Sequence, residues 1–253
     1  MLKEERFERI RSELAKKGIV DGDVLADILG VSRATIRRDL DILEGQGVLR
    51  RTHGGAQATD SEDELPFHSK EAAFLREKRA IGIAAADCIP DDAVIGCTGG
   101  TTVMAAIRAL KGRPITVVTN AINVAMELAP SEKAQVIVTG GTLRTRSYEL
   151  VGHIADRTLA EFHLDIGLLG VDGIDIERGI STFTVAEAHA AALYVSQAEK
   201  VLVVADHSKV GKIAPALIAP LSKISRLVTD PGLPPDVRAA LERAGLEVIV
   251  AEM

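Results

Sequence analysis

Cysteine is nearly absent from this chain. Two in 253 residues, Cys88 and Cys97, are too few for a disulfide framework, and neither has a His or Cys nearby at metal-ligand spacing. Packed thiols are expected, with no metal site and no cofactor. Nowhere do about 18 apolar residues run together, so no membrane-spanning helix is expected. The opening MLKEERFERIRSELAKKG is charged throughout, unlike the apolar core of a signal peptide, and the expected location is the cytoplasm. Low-complexity tracts are missing as well. Hydrophobic residues at 47% against 26% charged are enough to bury a sizeable core, which excludes a disordered chain. The last absence is an excess of positive charge. A formal charge of −6 ordinarily argues against nucleic acid, but residues 1–56 hold 11 Lys or Arg against 10 Asp or Glu, leaving 19 against 26 for the rest. Only a local basic face can serve DNA, so the placement of the arginines decides.

The length exceeds the roughly 150 residues of a one-domain prior, which admits a small domain followed by a larger one. From Glu4 to Lys17, Phe7, Ile10 and Leu14 recur at helical spacing, with Gly18 as a C-cap. Asp21 caps a second short helix carrying Val24, Leu25, Ile28 and Leu29, closed by Gly30. Ser32 caps a third, in which Ile36, Leu40 and Leu43 form the buried stripe and Arg33, Arg37 and Arg38 lie away from it. Past Gly45 and Gly47, VLRRTHGGA reads as a short hairpin. Residues 57–69, QATDSEDELPFHS, have the composition of a linker. The domains expected are therefore 1–56 and 70–253.

Residues 70–89 predict a helix. Beyond Pro90, strands are expected near 93–97, 116–119, 135–138, 164–169, 201–205, 226–229 and 247–250. Helices fall between them near 101–110, 122–128, 154–161, 185–198 and 235–244. That alternation specifies an α/β domain with a largely parallel sheet covered by helices on both faces.

The stretch VLADILGVSRATIRRDLDILEGQGVLRR pairs two amphipathic helices across a glycine turn. Its second helix opens with Ser32, Arg33, Ala34 and Thr35, where a recognition helix meets base edges. Arg presents two donors to guanine and Thr reads a base or a thymine methyl, while Arg37 and Arg38 reach phosphates or bases one turn on. The hairpin residues Arg50, Arg51, Thr52 and His53 then act as a wing. The competing reading is a helical hairpin for protein contacts, its arginines solvated or paired with Asp39, Asp41 and Glu44. Double-stranded operator DNA is favoured because turn glycine, Ser cap, basic first turn and basic hairpin coincide in one order.

In open α/β sheets ligands bind at the carboxyl ends of the strands. Those ends carry CTGGTT, TGGTLR, GVDG and ADHSKVG. Thr98, Gly99, Gly100, Thr101 and Thr102 join a strand to a helix start, where free backbone N–H groups and hydroxyls suit a phosphate or carboxylate. Arg144, Asp172 and Lys209 on other strand-end loops complete the candidate effector site. Alternatively the glycines only permit a tight turn, Arg144 pairs with Glu149, Asp172 braces its own turn and Lys209 is a solvated lysine.

GVSRATIRRDLDILEGQGVLRRTHGGA resembles the N-terminal signature of the DeoR family of bacterial transcriptional regulators. The likeness continues through EKRAIGIAAA, VVTNAINVAMELA, VTGGTLR, LVGHIA, GLLGVDGI, VLVVADHSK and VTDPGLPP. It implies an N-terminal winged helix and a C-terminal domain similar to ribose-5-phosphate isomerase and CoA transferases. It further implies a phosphorylated sugar as effector, repression relieved by that effector, and a homo-oligomer. Where members usually read Asp-Ser-Gly-Thr-Thr this chain has Thr98-Gly99-Gly100-Thr101-Thr102; Ala191, with His189 nearby, stands where a lysine is usual, and His207 replaces a usual Ser. The rival function is a sugar-phosphate isomerase-like enzyme, which needs a base and a stabiliser of the enediolate. Glu187 and Asp206 are the remaining candidate bases. With acid and lysine replaced the set is incomplete, and a sensor is favoured.

Overall fold

The computed structural model describes residues 3–45, 49–58, 67–71 and 73–253. They divide into two compact units, Met1–Ala73 and Phe74–Met253. Most of the expected linker, residues 59–66, lies outside the described residues, as do Gln46, Gly47 and Val48 before the hairpin.

The first unit consists of α1 (Lys3–Lys17), β1 (Ile19–Asp21), α2 (Gly22–Leu29), α3 (Arg33–Gly45), β2 (Leu49–Thr52), β3 (Gly55–Ala58) and a short α4 (Phe67–Glu71). The Asp21 carboxylate accepts the N–H groups of Asp23 and Val24 at 2.8 and 3.2 Å, and the Ser32 hydroxyl accepts that of Thr35 at 3.1 Å. Both helix starts are thus capped by their own sequence. α1 contributes Phe7, Ile10 and Leu14 to the core, and α3 contributes Ile36, Leu40 and Leu43. On α2 it is Leu25, Ala26 and Leu29 that turn inward, while Val24 and Ile28 remain exposed. The hairpin gains a third strand that periodicity does not reveal, because β1 is only three residues long. It pairs antiparallel with β3, Val20 opposite Ala56, and Gly55 permits the approach, since a Cβ there would stand 2.1 Å from the Val20 carbonyl oxygen. So small a core stabilises little, which gives weight to one further contact. Arg6 on α1 grips the buried Asp39 of α3 through Nε and Nη2, at 2.7 and 3.0 Å.

The second unit opens differently from the expected continuous helix over 70–89. α4 ends at Glu71 and α5 spans Leu75–Asp87. Between them Phe74 has φ 55°, a left-handed conformation that cannot continue a helix, and its ring stands edge-on to His207 at 5.3 Å. There follow β4 (Val94–Cys97), α6 (Thr101–Leu110), β5 (Ile115–Thr119), α7 (Ile122–Leu128), β6 (Ala134–Val138), β7 (Thr142–Arg144), β8 (Glu149–Val151), α8 (His153–Leu159) and β9 (Leu164–Gly170). The chain finishes through β10 (Gly173–Asp175), β11 (Gly179–Thr182), α9 (Val185–Gln197), β12 (Ala198–Val204), β13 (Ala216–Ala219), β14 (Arg226–Thr229), α10 (Pro235–Arg243) and β15 (Glu247–Val250).

Seven strands form one sheet in the order β15-β14-β12-β9-β4-β5-β6, every neighbouring pair parallel. The expected parallel α/β architecture is present. Two additions were not anticipated, the hairpin β7–β8 and a small antiparallel sheet β10-β11-β13. From β4 the chain moves outward through β5 and β6, then returns to the other side of β4 as β9. This reversal makes the β4–β9 boundary the switch point where such sheets open a crevice. The loops after β4, Thr98 onward, and after β9, Val171 and Asp172, flank it. Among the described residues no helix is long and apolar enough to cross a membrane.

Candidate functional site

In the first unit, Arg33, Arg37, Arg38, Arg50 and His53 are exposed. The acids that might neutralise them are largely spoken for. Asp39 is buried against Arg6, Asp41 pairs with Arg51, and Glu44 accepts the Arg51 backbone N–H at 2.7 Å. Among the described residues only Arg33 of these five has an ion pair, to Asp23 at 2.9 Å, with both side chains mostly in solvent. Such a pair is worth about 0–1 kcal/mol and yields readily to a phosphate or base. Thr35 shares its hydroxyl with Ser32 at 2.9 Å, which fixes the first turn of α3. Arg51 differs from its neighbours. Besides Asp41 it donates to the carbonyls of Arg37 and Gly55, both at 3.2 Å, and so braces the hairpin against α3. Arg50 and His53 remain as the outward-facing basic groups of the hairpin.

In the second unit, the loop after β4 lies at the switch point as its sequence suggests. Thr98 is buried and works structurally, its hydroxyl accepting the Gly170 N–H at 3.2 Å across to β9. Gly99 does not present an open donor. Its N–H reaches Glu149 Oε1 at 2.5 Å, and Glu149 is 7% exposed. A further anion about 4 Å from that carboxylate would meet roughly 4 kcal/mol of repulsion per unit charge at an effective dielectric near 20. Arg144 pairs with Glu187 at 2.5 Å and donates to Thr184 at 2.8 Å. Asp172 accepts from Thr182 at 3.0 Å and faces the Lys209 ammonium at 3.6 Å. Asp206 is buried and holds Ser208 through its N–H, at 3.1 Å, and its hydroxyl. His207 binds the buried Asp230 through backbone N–H and Nδ1, both at 2.7 Å. Ala191 is buried in α9, whereas His189 is exposed and lies 3.5 Å from Asp156.

Two residues that sequence reasoning passed over, Asn120 and Tyr194, organise the loops at these strand ends. Asn120, completely buried at the end of β5, receives the Leu150 N–H at 2.7 Å and donates Nδ2 to the Leu150 carbonyl at 3.1 Å. Its own N–H donates to the Tyr194 hydroxyl at 2.8 Å. This clamp hangs β8 on the sheet and brings Glu149, a direct partner of Arg144 across the hairpin, over the loop. A polar Asn directly after a buried strand was the available signal. Burial holds the Tyr194 hydroxyl well above its ordinary pKa, with Cys97 adding to the effect. It also pushes the Cys97 thiol up to about 12, so neither supplies a nucleophile near neutral pH.

Comparison with known proteins completes the picture. Residues 6–62 match the DeoR-like helix-turn-helix domain and residues 74–231 the DeoR C terminal sensor domain. The HTH-type transcriptional regulator GlpR of Haloferax volcanii is 38% identical over 98% of this chain and 98% of its own length. The glycerol-3-phosphate regulon repressor of Escherichia coli is 32% identical over 95% and 96%. Among solved structures, ribose 5-phosphate isomerase A from Neisseria gonorrhoeae overlaps 54% of this chain and 53% of its own at 20% identity and a TM-score of 0.39. With an exposed arginine face on a capped third helix, a seven-stranded parallel sheet behind it in sequence, and both segments matched, the chain belongs to the DeoR family of DNA-binding transcriptional regulators.

Proposed function

We propose that the protein is a cytoplasmic, homo-oligomeric repressor whose hold on its operator is released by a small phosphorylated sugar or related anionic metabolite bound in the cleft at the β4–β9 switch point. α3 enters the major groove with Ser32, Arg33 and Thr35 foremost, Arg37 and Arg38 take phosphates or bases, and the hairpin lies against the neighbouring backbone. The observation that carries the reading is the contrast in how charge is used, exposed arginines on α3 in the first unit and, in the second, strand-end carboxylates held by partners, Glu149 on the Gly99 N–H, Glu187 on Arg144 and Asp172 facing Lys209. A relative named as a repressor of the glycerol-3-phosphate regulon agrees with it.

Against an isomerase stands the state of the candidate bases. Glu187 is held by Arg144 and Thr184, and Asp206 by Ser208. A base already committed to a structural partner is poorly placed to move a substrate proton.

The test is fluorescence anisotropy with an operator isolated by selection from random duplexes. Arg33→Ala or Thr35→Ala should cost about 1 to 3 kcal/mol at that operator and far less on scrambled DNA. Equal losses on both would reduce the residue to a phosphate contact. Sugar phosphates are then added to the complex and their conversion assayed in parallel; turnover would sink the repressor-only reading.

A further inference from the structure

Asp23 is an acid on a surface where acid is costly. The carboxylates of α3, Asp39, Asp41 and Glu44, are turned to Arg6 and Arg51. Asp23 instead stands mostly in solvent with its charge against Arg33. A carboxylate on a face that meets DNA repels the phosphates its neighbours attract. The helix dipole favours an acid at the start of α2, but Asp21 already supplies one there as the cap. The position of Asp23 opposite Arg33 is left to be explained.

Both ends of the pair start from fixed backbone. The Asp23 N–H is taken by Asp21 at 2.8 Å, and the Gly22 N–H donates to the Gly54 carbonyl at 2.8 Å. Gly22 also rests on α3 about one turn past Arg33, since a Cβ on it would stand 3.9 Å from Ile36 Cγ2. Arg33 opens α3 in the turn closed by the Ser32 hydroxyl. The ion pair is made through Nε, 2.9 Å from Asp23 Oδ1. Guanidinium carries donors on Nε and on both terminal nitrogens, so a carboxylate at Nε leaves the terminal fork open. That fork is the end that matches O6 and N7 of guanine. A phosphate competes for the same charge, and the pair, weak in water, would yield to it. A guanine edge takes the fork without displacing Asp23.

We propose that Asp23 is a positioning residue for base reading, holding Arg33 by Nε so that the guanidinium fork is presented to a guanine of the operator. This rests on the reading of α3 as the recognition helix. Specific affinity gains because a long side chain is ordered before binding. Non-specific affinity falls because one negative charge stays near the phosphates.

Selection of an operator from random duplexes with the full chain, then fluorescence anisotropy on that operator and on a scrambled duplex, tests it. Asp23→Ala should weaken the operator about three- to tenfold while tightening scrambled DNA about twofold. Selections repeated with Asp23→Ala and with Arg33→Ala should lose preference for the same guanine. Once Arg33→Ala is in place, adding Asp23→Ala should no longer weaken the operator. Tightening of both duplexes alike by Asp23→Ala would leave Asp23 a repelling charge and nothing more, and losses that add in the double variant would confine its role to its own helix; either overturns the proposal. Should Asp23→Ala melt below the assay temperature, Arg33→Lys decides. Lysine keeps the charge but cannot hold Asp23 and a guanine edge with separate nitrogens, so it should keep scrambled-DNA affinity within about twofold and lose about tenfold at the operator. Full operator affinity in Arg33→Lys overturns the proposal. Equal losses from Arg33→Ala on both duplexes overturn it while α3 remains the helix that meets DNA. A wild-type chain that selects no operator overturns the recognition-helix reading and this inference together.

Discussion

In the first unit Arg33, Arg37, Arg38 and Arg50 stand outward, while Asp39, Asp41 and Glu44 are turned to Arg6 and Arg51. In the second, Arg144, Glu149, Glu187, Asp172 and Asp230 are held by one another, by neighbouring side chains or by the backbone. The first arrangement leaves positive charge free to release counterions from a polyanion, although the whole chain is acidic. The second pairs opposed charges with one another, as Arg144 with Glu187 and Lys209 with Asp172. The two regions thus differ less in composition than in where the partners of each charge lie.

The comparison breaks most severely at Arg6. In the first unit Asp39 is buried against Arg6, and removing one partner of a buried pair costs about 3 to 5 kcal/mol. Arg6→Met should melt the first unit well below the second, separating the transitions in a calorimetric scan and abolishing DNA binding. Arg6→Met with Asp39→Leu removes both charges and should recover most of the loss, since an apolar pair of similar volume often replaces a buried ion pair without penalty. A single variant as stable as wild type would show that Asp39 finds water or another partner.

The same contrast explains what the sequence reveals. The exposed arginine face of α3 was legible because its parts are contiguous. Ser32, Arg33, Thr35, Arg37 and Arg38 sit within seven residues on a helix whose apolar stripe is visible, and exposure follows from periodicity alone. The parallel sheet was legible for a similar reason, each strand being a short apolar run. What stayed hidden depends on distant pairing. The carboxylate on Gly99 is 50 residues away along the chain, and the Asn120–Tyr194 contact spans 74. Nor does periodicity show that Arg51, adjacent to the exposed Arg50, bends back to α3. The break at Phe74 was hidden too, because a left-handed residue other than glycine leaves no trace in composition.

A second prediction sharpens the comparison through pH. Cys97 and Tyr194 lie in the second unit, and the first has neither cysteine nor tyrosine. Burial lifts the Cys97 thiol from 9.0 to about 12 in the folded state. A raised pKa stabilises the fold below the unfolded value, and that stabilisation is lost as pH rises through the folded one. At about 1.36 kcal/mol per pH unit the full loss approaches 4 kcal/mol by about pH 12, beginning near pH 9. Denaturant titrations from pH 7.5 to 11 should therefore show the second unit weakening while the first holds. Cys97→Ala should shallow the slope, leaving the part due to Tyr194 and to Cys88, whose thiol burial also raises. An identical slope in that variant would exclude the thiol as its source.

The smallest effect divides two neighbouring arginines of the hairpin. Arg50 is exposed, whereas Arg51 is bound to Asp41 and to the carbonyls of Arg37 and Gly55. If only the outward residue meets the DNA backbone, Arg50→Ala should flatten the dependence of log affinity on log salt by about one unit and weaken specific and scrambled duplexes alike. The first unit should keep its thermal stability, because the side chain leaves nothing behind. Arg51→Ala should do the reverse. Losing hydrogen bonds to a charged donor should cost the first unit about 1 to 2 kcal/mol and leave the salt slope near wild type at temperatures where the unit is folded. Affinity measured from 50 to 300 mM salt, beside a melting curve for each variant, separates the two. A slope reduced equally by both would return Arg51 to the interface, and the hairpin would then meet DNA through its braced arginine as well as its free one.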